Sequence, residues 1–392
     1  MKQAVILAAG EGQRLRPFTA TRPKSMLYIG DRPVLHYVIQ ALADNGIREI
    51  ILVVGYKKEQ IYDYFGAGEK YGIDISYVTQ EKQLGTAHAL LQVADRVSGD
   101  FLVFPADNYI DAGTIAGFMK MTPEAVLVKR VSEPERYGVI REIGGIIKSI
   151  QEKPEIPESN LVNTGIYLFS TKIFNFLVNE LDITDALNAM ISSGMTLQAI
   201  EIDGTWLDIV YPRDIIKLNA AVLHGTRTLI GGTIENGVVL KGKIVIGRNT
   251  TIRAGTTITG PVIISGGCEI GPQACILPAT TIGENVTVAP FSVIENSVIN
   301  ADVCIGPGCI ICHSVIGQGS TIKGKFTAIG RTSCVSENED LSNGLSTGVI
   351  MGEDCEVDIN VTVEPDIVIG NGCRIRNARY ISSNIPDRSF VC

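Results

Sequence analysis

Two hydrophobic rhythms run along this chain, one in each half. Up to about Leu223, short apolar runs alternate with stretches of helical spacing. Ala4–Ala9, Ile50–Val54 and Phe101–Phe104 are apolar without alternation, as strands buried on both faces are. Between the first two, Val34, Leu35, Val38, Ala41 and Leu42 recur at helical steps, with Pro33 suited to a first turn. This alternation predicts a parallel sheet with helices on both faces. Ligands bind such sheets beyond the carboxyl ends of the strands, so the informative loops follow Ala9, Val78 and Phe104.

After about Gly231 the rhythm changes. Ile234, Leu240, Ile246, Ile252, Ile258, Ile264, Ile270, Ile276, Ile282, Val288 and Ile294 recur every six residues. Further phases run through Ile299, Ile305 and Ile311, through Ile316 and Ile322, and from Val357 to Ile381. Neither an amphipathic helix nor a half-buried strand has period six. A solenoid of short parallel strands does, with one inward aliphatic per strand and Gly, Asn and Pro at the corners. The change of rhythm divides the chain into residues 1–229 and 230–392. Residues 326–350 break the period and read as an inserted loop.

Composition narrows the classes of function. Apolar residues make up 45% and charged residues 19%, which is globular. A net charge of −8 argues against binding nucleic acid, whose phosphates select basic surfaces. One local basic site for a small phosphorylated ligand stays compatible with it. No run approaches the ~18 apolar residues of a membrane span. The opening apolar run is cut at Glu11, too early for a signal peptide, so the cytoplasm is the expected compartment. Nine cysteines in such a chain read as free thiols.

Candidate chemistry gathers in the first half. After the first strand the chain reads Gly10-Glu11-Gly12-Gln13-Arg14-Leu15-Arg16-Pro17. Glycines let the backbone approach a phosphate and aim N–H groups at it. Leu15 stands where a dinucleotide fingerprint needs its third Gly, and no Gly-Lys-Ser/Thr closes a Walker loop. A bare Gly-x-Gly is equally a plain turn. The longer string Leu7-Ala8-Ala9-Gly10-x-Gly12-x-Arg14-Leu15-x-Pro17, followed by Arg22-Pro23-Lys24-Ser25-Met26, resembles the signature of sugar-1-phosphate nucleotidyltransferases.

The resemblance covers roughly residues 3–224 and implies a Rossmann-like α/β domain. In that family a sugar phosphate attacks the α-phosphorus of a nucleoside triphosphate and pyrophosphate leaves. Several negative charges must then be aligned and neutralised. The resemblance implies that Arg14 and Lys24 serve as catalytic cations on phosphate, and that Leu7, Ala9, Gly10 and Gly12 contact the nucleotide. Gln80, with Gly85 and Thr86 in Leu84-Gly85-Thr86-Ala87-His88, matches the base-recognition segment for uracil or thymine, and His88 is expected to begin a helix. An amide suits that task because it pairs with both a carbonyl and an N–H. Asp107 and Asp208 match the ligands of Mg²⁺, which prefers one or two carboxylates plus phosphate oxygens and water. Gly138, Glu152, Lys153 and Asn163 match the sugar-phosphate side. The implied substrates are UTP or dTTP with N-acetylglucosamine-1-phosphate or glucose-1-phosphate, the Val162-Asn163-Thr164-Gly165 string leaning to the acetamido sugar.

The second half resembles hexapeptide-repeat proteins, which implies an all-β left-handed parallel β-helix and a homotrimer. Bifunctional relatives of this layout acetylate an amino sugar there, using a His base. Here the matching stretch reads Lys323-Gly324-Lys325-Phe326 and has no imidazole, and Asn343-Gly344-Leu345-Ser346 is also altered. His313 comes about ten residues early and reads as a corner residue. Acetyl transfer and a non-catalytic nucleotide-sugar scaffold are the alternative readings. Cys309-Ile310-Ile311-Cys312-His313 spells a c-type haem motif, but Ile311 belongs to the repeat. These cysteines and Cys304 are expected to pack as small apolar residues.

Overall fold

The computed structural model describes residues 3–330 and 346–392. Its contacts divide into two units. One comprises Met1–Glu11, Arg22–Met26 and Pro33–Asp208, and the other Gly12–Thr21, Leu27–Arg32 and Ile209–Cys392.

The first unit is built on a nine-stranded sheet. Asp74–Thr79, Glu49–Val54, Gln3–Ala8 and Phe101–Pro105 lie side by side and parallel. Next comes Leu161–Phe169, antiparallel both to Phe101–Pro105 and to Ala125–Arg130. Gln198–Glu201, Ile146–Glu152 and Gly138–Ile143 complete the sheet. The sheet is therefore mixed, not parallel throughout. Leu161–Phe169 is nearly all buried, so it reads as the same continuous apolar run as a parallel strand. Alternation along the first strand explains two cores. Ala4, Ile6 and Ala8 pack with Leu35 and Leu42 of helix Val34–Asp44 on one face. Val5 packs with Ala87 and Leu90 of helix Thr86–Leu91 on the other.

The second unit is a left-handed parallel β-helix of three sheets with eight, nine and eight strands. Each period-six series is one walk around the three sheets, so Ile234 stacks on Ile252 and Ile252 on Ile270. The column Ile258, Ile276, Ile294, Ile311 does the same, and these side chains are fully buried. The phase changes have a local cause. Ile294 to Ile299 and Ile311 to Ile316 are each one residue short of six, and both fall at one corner of stacked coils. Asn296 (φ 42°) and His313 (φ 53°) turn that corner in the left-handed region. His313 is thus a corner residue. Helix Pro212–His224 lies on the sheet that includes Thr280–Ile282 and Val298–Ile299.

The inserted loop is narrower than 326–350. Thr327–Ile329 and Val349–Met351 are ordinary strands of the solenoid, paired to the coils before and after. The repeat was obscured because Ala328 takes the inward position, with Phe326 buried beside the column. Arg331 and Asn343-Gly344-Leu345 lie outside the described residues. Cys309 and Cys312 are buried, and burial raises both thiols, Cys312 to about 11. They pack as neutral apolar groups. Cys304 does not: it faces outward and is exposed, because it occupies the non-core position of its strand. Among the described residues no helix is long and apolar enough to cross a membrane.

Candidate active site

Parallel pairing aligns the strand ends of the first unit. Leu7 sits opposite Val53 and Pro105, so Ala9 and Gly10 leave the sheet beside the segment that carries Asp107. Ala106 N–H donates to the Leu7 carbonyl at 3.2 Å, and Ala9 is buried. Gly10 is exposed with open space around its Cα.

The two aspartates meet through a second, two-stranded ribbon. Asn108–Ile110 pairs antiparallel with Trp206–Asp208, and Asp208 is the direct partner of Asn108. Residues about a hundred apart in sequence thereby place Asp208 next to Asp107. The far end of the ribbon is held by Asp111. Its carboxylate accepts from Thr114 N–H (2.8 Å), Thr114 Oγ1 (2.7 Å) and Thr205 N–H (2.9 Å). The first two bonds cap helix Ala112–Phe118, while the third crosses to the chain that leads into Asp208. Lys24, from the short helical turn Lys24–Met26, forms an ion pair with Asp107, both side chains being mostly shielded. On Asp208, Tyr137 Oη donates to Oδ1 at 2.8 Å, and its ring packs against Trp206 with centroids 5.6 Å apart. Among the described residues no group of three His, Cys, Asp or Glu could hold a metal. Two carboxylates on neighbouring segments would suit a hard divalent cation whose remaining ligands are phosphate oxygens and water.

Gly138, Glu152 and Asn163 also converge. Gly138 pairs with Glu152, and a Cβ on Gly138 would come within 3.1 Å of Glu152 Oε2 and 3.6 Å of Asn163 Cβ. The Asn-Thr-Gly string is a bulge: register shifts between Asn163 and Tyr167, with Gly165 at φ 78°. Asn163 Oδ1 accepts from Gly165 N–H (2.9 Å) and Nδ2 donates to Tyr167 Oη (2.8 Å). Lys153 stands at φ 43° and reaches back to Glu152 Oε1 at 2.6 Å.

Gln80 is buried. Its Nε2 donates to the Gly85 carbonyl (3.1 Å) and to His88 Nδ1 (2.8 Å). That engages its N–H groups within the protein. His88 lies within helix Thr86–Leu91, which Thr86 begins. Gly85 (φ 117°) is obligatory there, because a Cβ would lie 2.3 Å from the Leu181 carbonyl oxygen. Thr86 Oγ1 bonds with Asp182 and accepts from Ile183 N–H, tying this segment to helix Ile183–Ser192.

Gly12 and Arg14 belong to the loop that groups with the second unit. Gly12 (φ 73°) begins the turn, and its carbonyl accepts from Leu15 N–H and Thr19 Oγ1, both at 2.9 Å. Arg14 is exposed while Leu15 is buried. Asp111 carries a structural part of this site that motif reading passed over, while Tyr137 and Asn108 stand in the Tyr137-Gly138 and Asp107-Asn108 strings and the structure adds their contacts. The Asp-x-x-Thr cap at Asp111 was the one local signal.

The nucleotidyl transferase family model matches residues 3–225, and the GMPPB C-terminal domain model matches residues 258–346. The chain is 37% identical over 403 residues to the bifunctional protein GlmU of Methanocaldococcus jannaschii, covering 99% of this chain and 97% of that one. It is 33% identical over 421 residues to a bifunctional sugar-1-phosphate nucleotidylyltransferase/acetyltransferase of Sulfurisphaera tokodaii, covering 99% of each. A UDP-glucose pyrophosphorylase solved with UDP-glucose aligns with a TM-score of 0.52 at 28% identity, over 57% of this chain and 99% of that one. With the family match spanning most of the first half and full-length relatives on both sides of the boundary, the chain belongs to the nucleotidyl transferase family, as a sugar-1-phosphate nucleotidyltransferase.

Proposed function

We propose that this enzyme makes a UDP- or dTDP-sugar from UTP or dTTP and N-acetylglucosamine-1-phosphate or glucose-1-phosphate, in the cytoplasm where these substrates occur. The observation that carries the reading is the Lys24–Asp107 ion pair beside the ribbon in which Asp208 is the backbone partner of Asn108. An oxygen of the sugar phosphate attacks the α-phosphorus, the bond to the β-phosphate oxygen breaks, and pyrophosphate leaves in line. Lys24 would leave Asp107 for the α-phosphate and Arg14 would clamp phosphate oxygens in a fork. Asp107 and Asp208 would hold Mg²⁺, which when bound neutralises the triphosphate. Leu7, Ala9, Gly10 and Gly12 would line the nucleotide, with Gln80 Oε1 and the Gly85–Thr86 segment at the base. Gly138, Glu152, Lys153 and Asn163 would take the sugar phosphate. We place the functional boundary at 229/230, where the repeat begins.

Pyrophosphate release over a panel of triphosphates and sugar phosphates tests this directly. Turnover with UTP or dTTP and one of the two sugars is expected, and Lys24→Ala or Asp208→Ala should lower kcat by orders of magnitude in a folded protein. Near-normal turnover in both variants would sink the assignment.

The acetyl transfer named for the relatives is left out of this reading. Where a base is expected, Lys323 is ion-paired to Asp358 (2.6 Å) and Lys325 turns a corner at φ 49°. Acetyl-CoA consumption with glucosamine-1-phosphate is the check. The β-helix is instead proposed to assemble a homotrimer. One of its sheets faces outward with Arg253 paired to Glu235 and Glu269, and Lys323 and Arg376 to Asp358. Another presents Val239, Ile310 and Ile329 to solvent, which suits burial against a second copy.

A further inference from the structure

The segment from Gly12 to Arg32 carries both proposed catalytic cations, and parts of it group with the β-helix. Two side-chain amides make the connection. Asn371, at a corner of a late coil, donates from Nδ2 to the Pro17 carbonyl at 2.9 Å. Asn219, fully buried on helix Pro212–His224, accepts from Gly30 N–H (3.0 Å) and Thr281 Oγ1 (2.7 Å) and donates to the Ala279 carbonyl (2.9 Å). Each amide uses both its donor and its acceptor. On Asn371 the Oδ1 accepts from Glu353 N–H at 2.7 Å, so the coil itself fixes the amide plane that presents Nδ2 to the loop. Within the loop, Leu15 N–H donates to the Gly12 carbonyl and Arg16 N–H to the Gln13 carbonyl.

We propose that Asn371 is a positioning residue for nucleotidyl transfer: by holding the Pro17 carbonyl, a late coil of the β-helix orders the loop that carries Arg14. The proposal rests on the role given to Arg14 above. A loop ordered before the triphosphate arrives does not lose that freedom on binding, so pre-ordering raises affinity for the triphosphate. Asn219 fixes the other end of the same segment, at Gly30.

Asn371→Asp removes the donor while keeping the acceptor for Glu353 N–H. Its KM for the triphosphate should rise about two- to tenfold, the worth of one hydrogen bond, with kcat and the KM for sugar phosphate unchanged. Hydrogen exchange at the Leu15 and Arg16 amides should accelerate in the same variant, a readout that needs no turnover. In an Arg14→Ala background the added Asn371→Asp change should cost nothing further in triphosphate KM. An equal cost in both backgrounds, or unchanged exchange in the loop, overturns the proposal. Asn371→Ala serves as the second variant should the aspartate lower the melting temperature of the β-helix. A wild-type protein that releases no pyrophosphate with any triphosphate would sink the functional reading instead, while the exchange experiment would still report on the anchor.

Discussion

A carboxylate that holds a metal works best when one of its oxygens is already fixed. Tyr137 fixes one oxygen of Asp208, the proposed metal ligand, by donating to Oδ1, with its ring held against Trp206. Such outer partners orient a ligand and tune its affinity. Tyr137→Phe should therefore raise the half-saturating Mg²⁺ concentration by roughly tenfold, at the low end of the range for such partners. Mn²⁺ binding followed by electron paramagnetic resonance should weaken in parallel, and the KM for sugar phosphate should stay unchanged. Unaltered Mn²⁺ binding would leave Tyr137 a packing residue.

His313 is a second case at this scale. Its Nδ1 is buried without a hydrogen-bond partner among the described residues, and burial lowers its pKa, with Glu295 opposing. A histidine depressed in the folded state stabilises above its unfolded pKa of about 6.5, and that stability is lost as pH falls through the folded value. Melting temperature should therefore drop on acidification from pH 7 toward 5. His313→Asn, which copies Asn296 one coil earlier, should flatten part of that drop. A slope identical to wild type would show that His313 titrates alike in both states.

Among elements, the solenoid strand contrasts with the Rossmann-like strand. A solenoid strand contributes one or two inward side chains, and its pairing partners are its neighbours in the stack. Ile282→Ala should cost about 2–5 kcal/mol, because stacked coils cannot close over the gap. Thr287→Ala, outward and exposed one strand later, should stay within about 0.5 kcal/mol. Denaturant unfolding of the β-helix transition compares the two. In the first unit the decisive element is the ribbon of Asn108–Ile110 with Trp206–Asp208. It is too short to announce itself in the sequence, and Asp111 holds it by hydrogen bonds to residues on both sides.

For the whole molecule, the contrast between an ion-paired sheet and an apolar one bears on assembly. Light scattering after size exclusion should give three times the chain mass of 42.2 kDa. Ile310→Lys should reduce it without unfolding the β-helix, because its side chain is already exposed. A monomeric wild type would remove the trimer and leave the nucleotidyl transfer untouched.

The sequence by itself determined the class of each half, because period six and continuous apolar runs are written in nearest-neighbour spacing and survive without any tertiary contact. Its resemblance to a nucleotidyltransferase signature also marked Arg14, Lys24, Gln80, Asp107 and Asp208 as candidates for phosphate, base and metal. Tertiary structure alone decided the rest. The direction of Leu161–Phe169 depended on its partners, since a strand buried on both faces looks the same parallel or antiparallel. The inward role of Ala328 depended on the Phe326 beside it. The pairing of Asp208 with Asn108, the internal engagement of Gln80 and the hold of Asn371 on Pro17 all join residues far apart in the chain or turned by local geometry. A hydrogen bond is specific at about 3 Å, and a distance of that kind across the fold has no periodicity for a sequence to display.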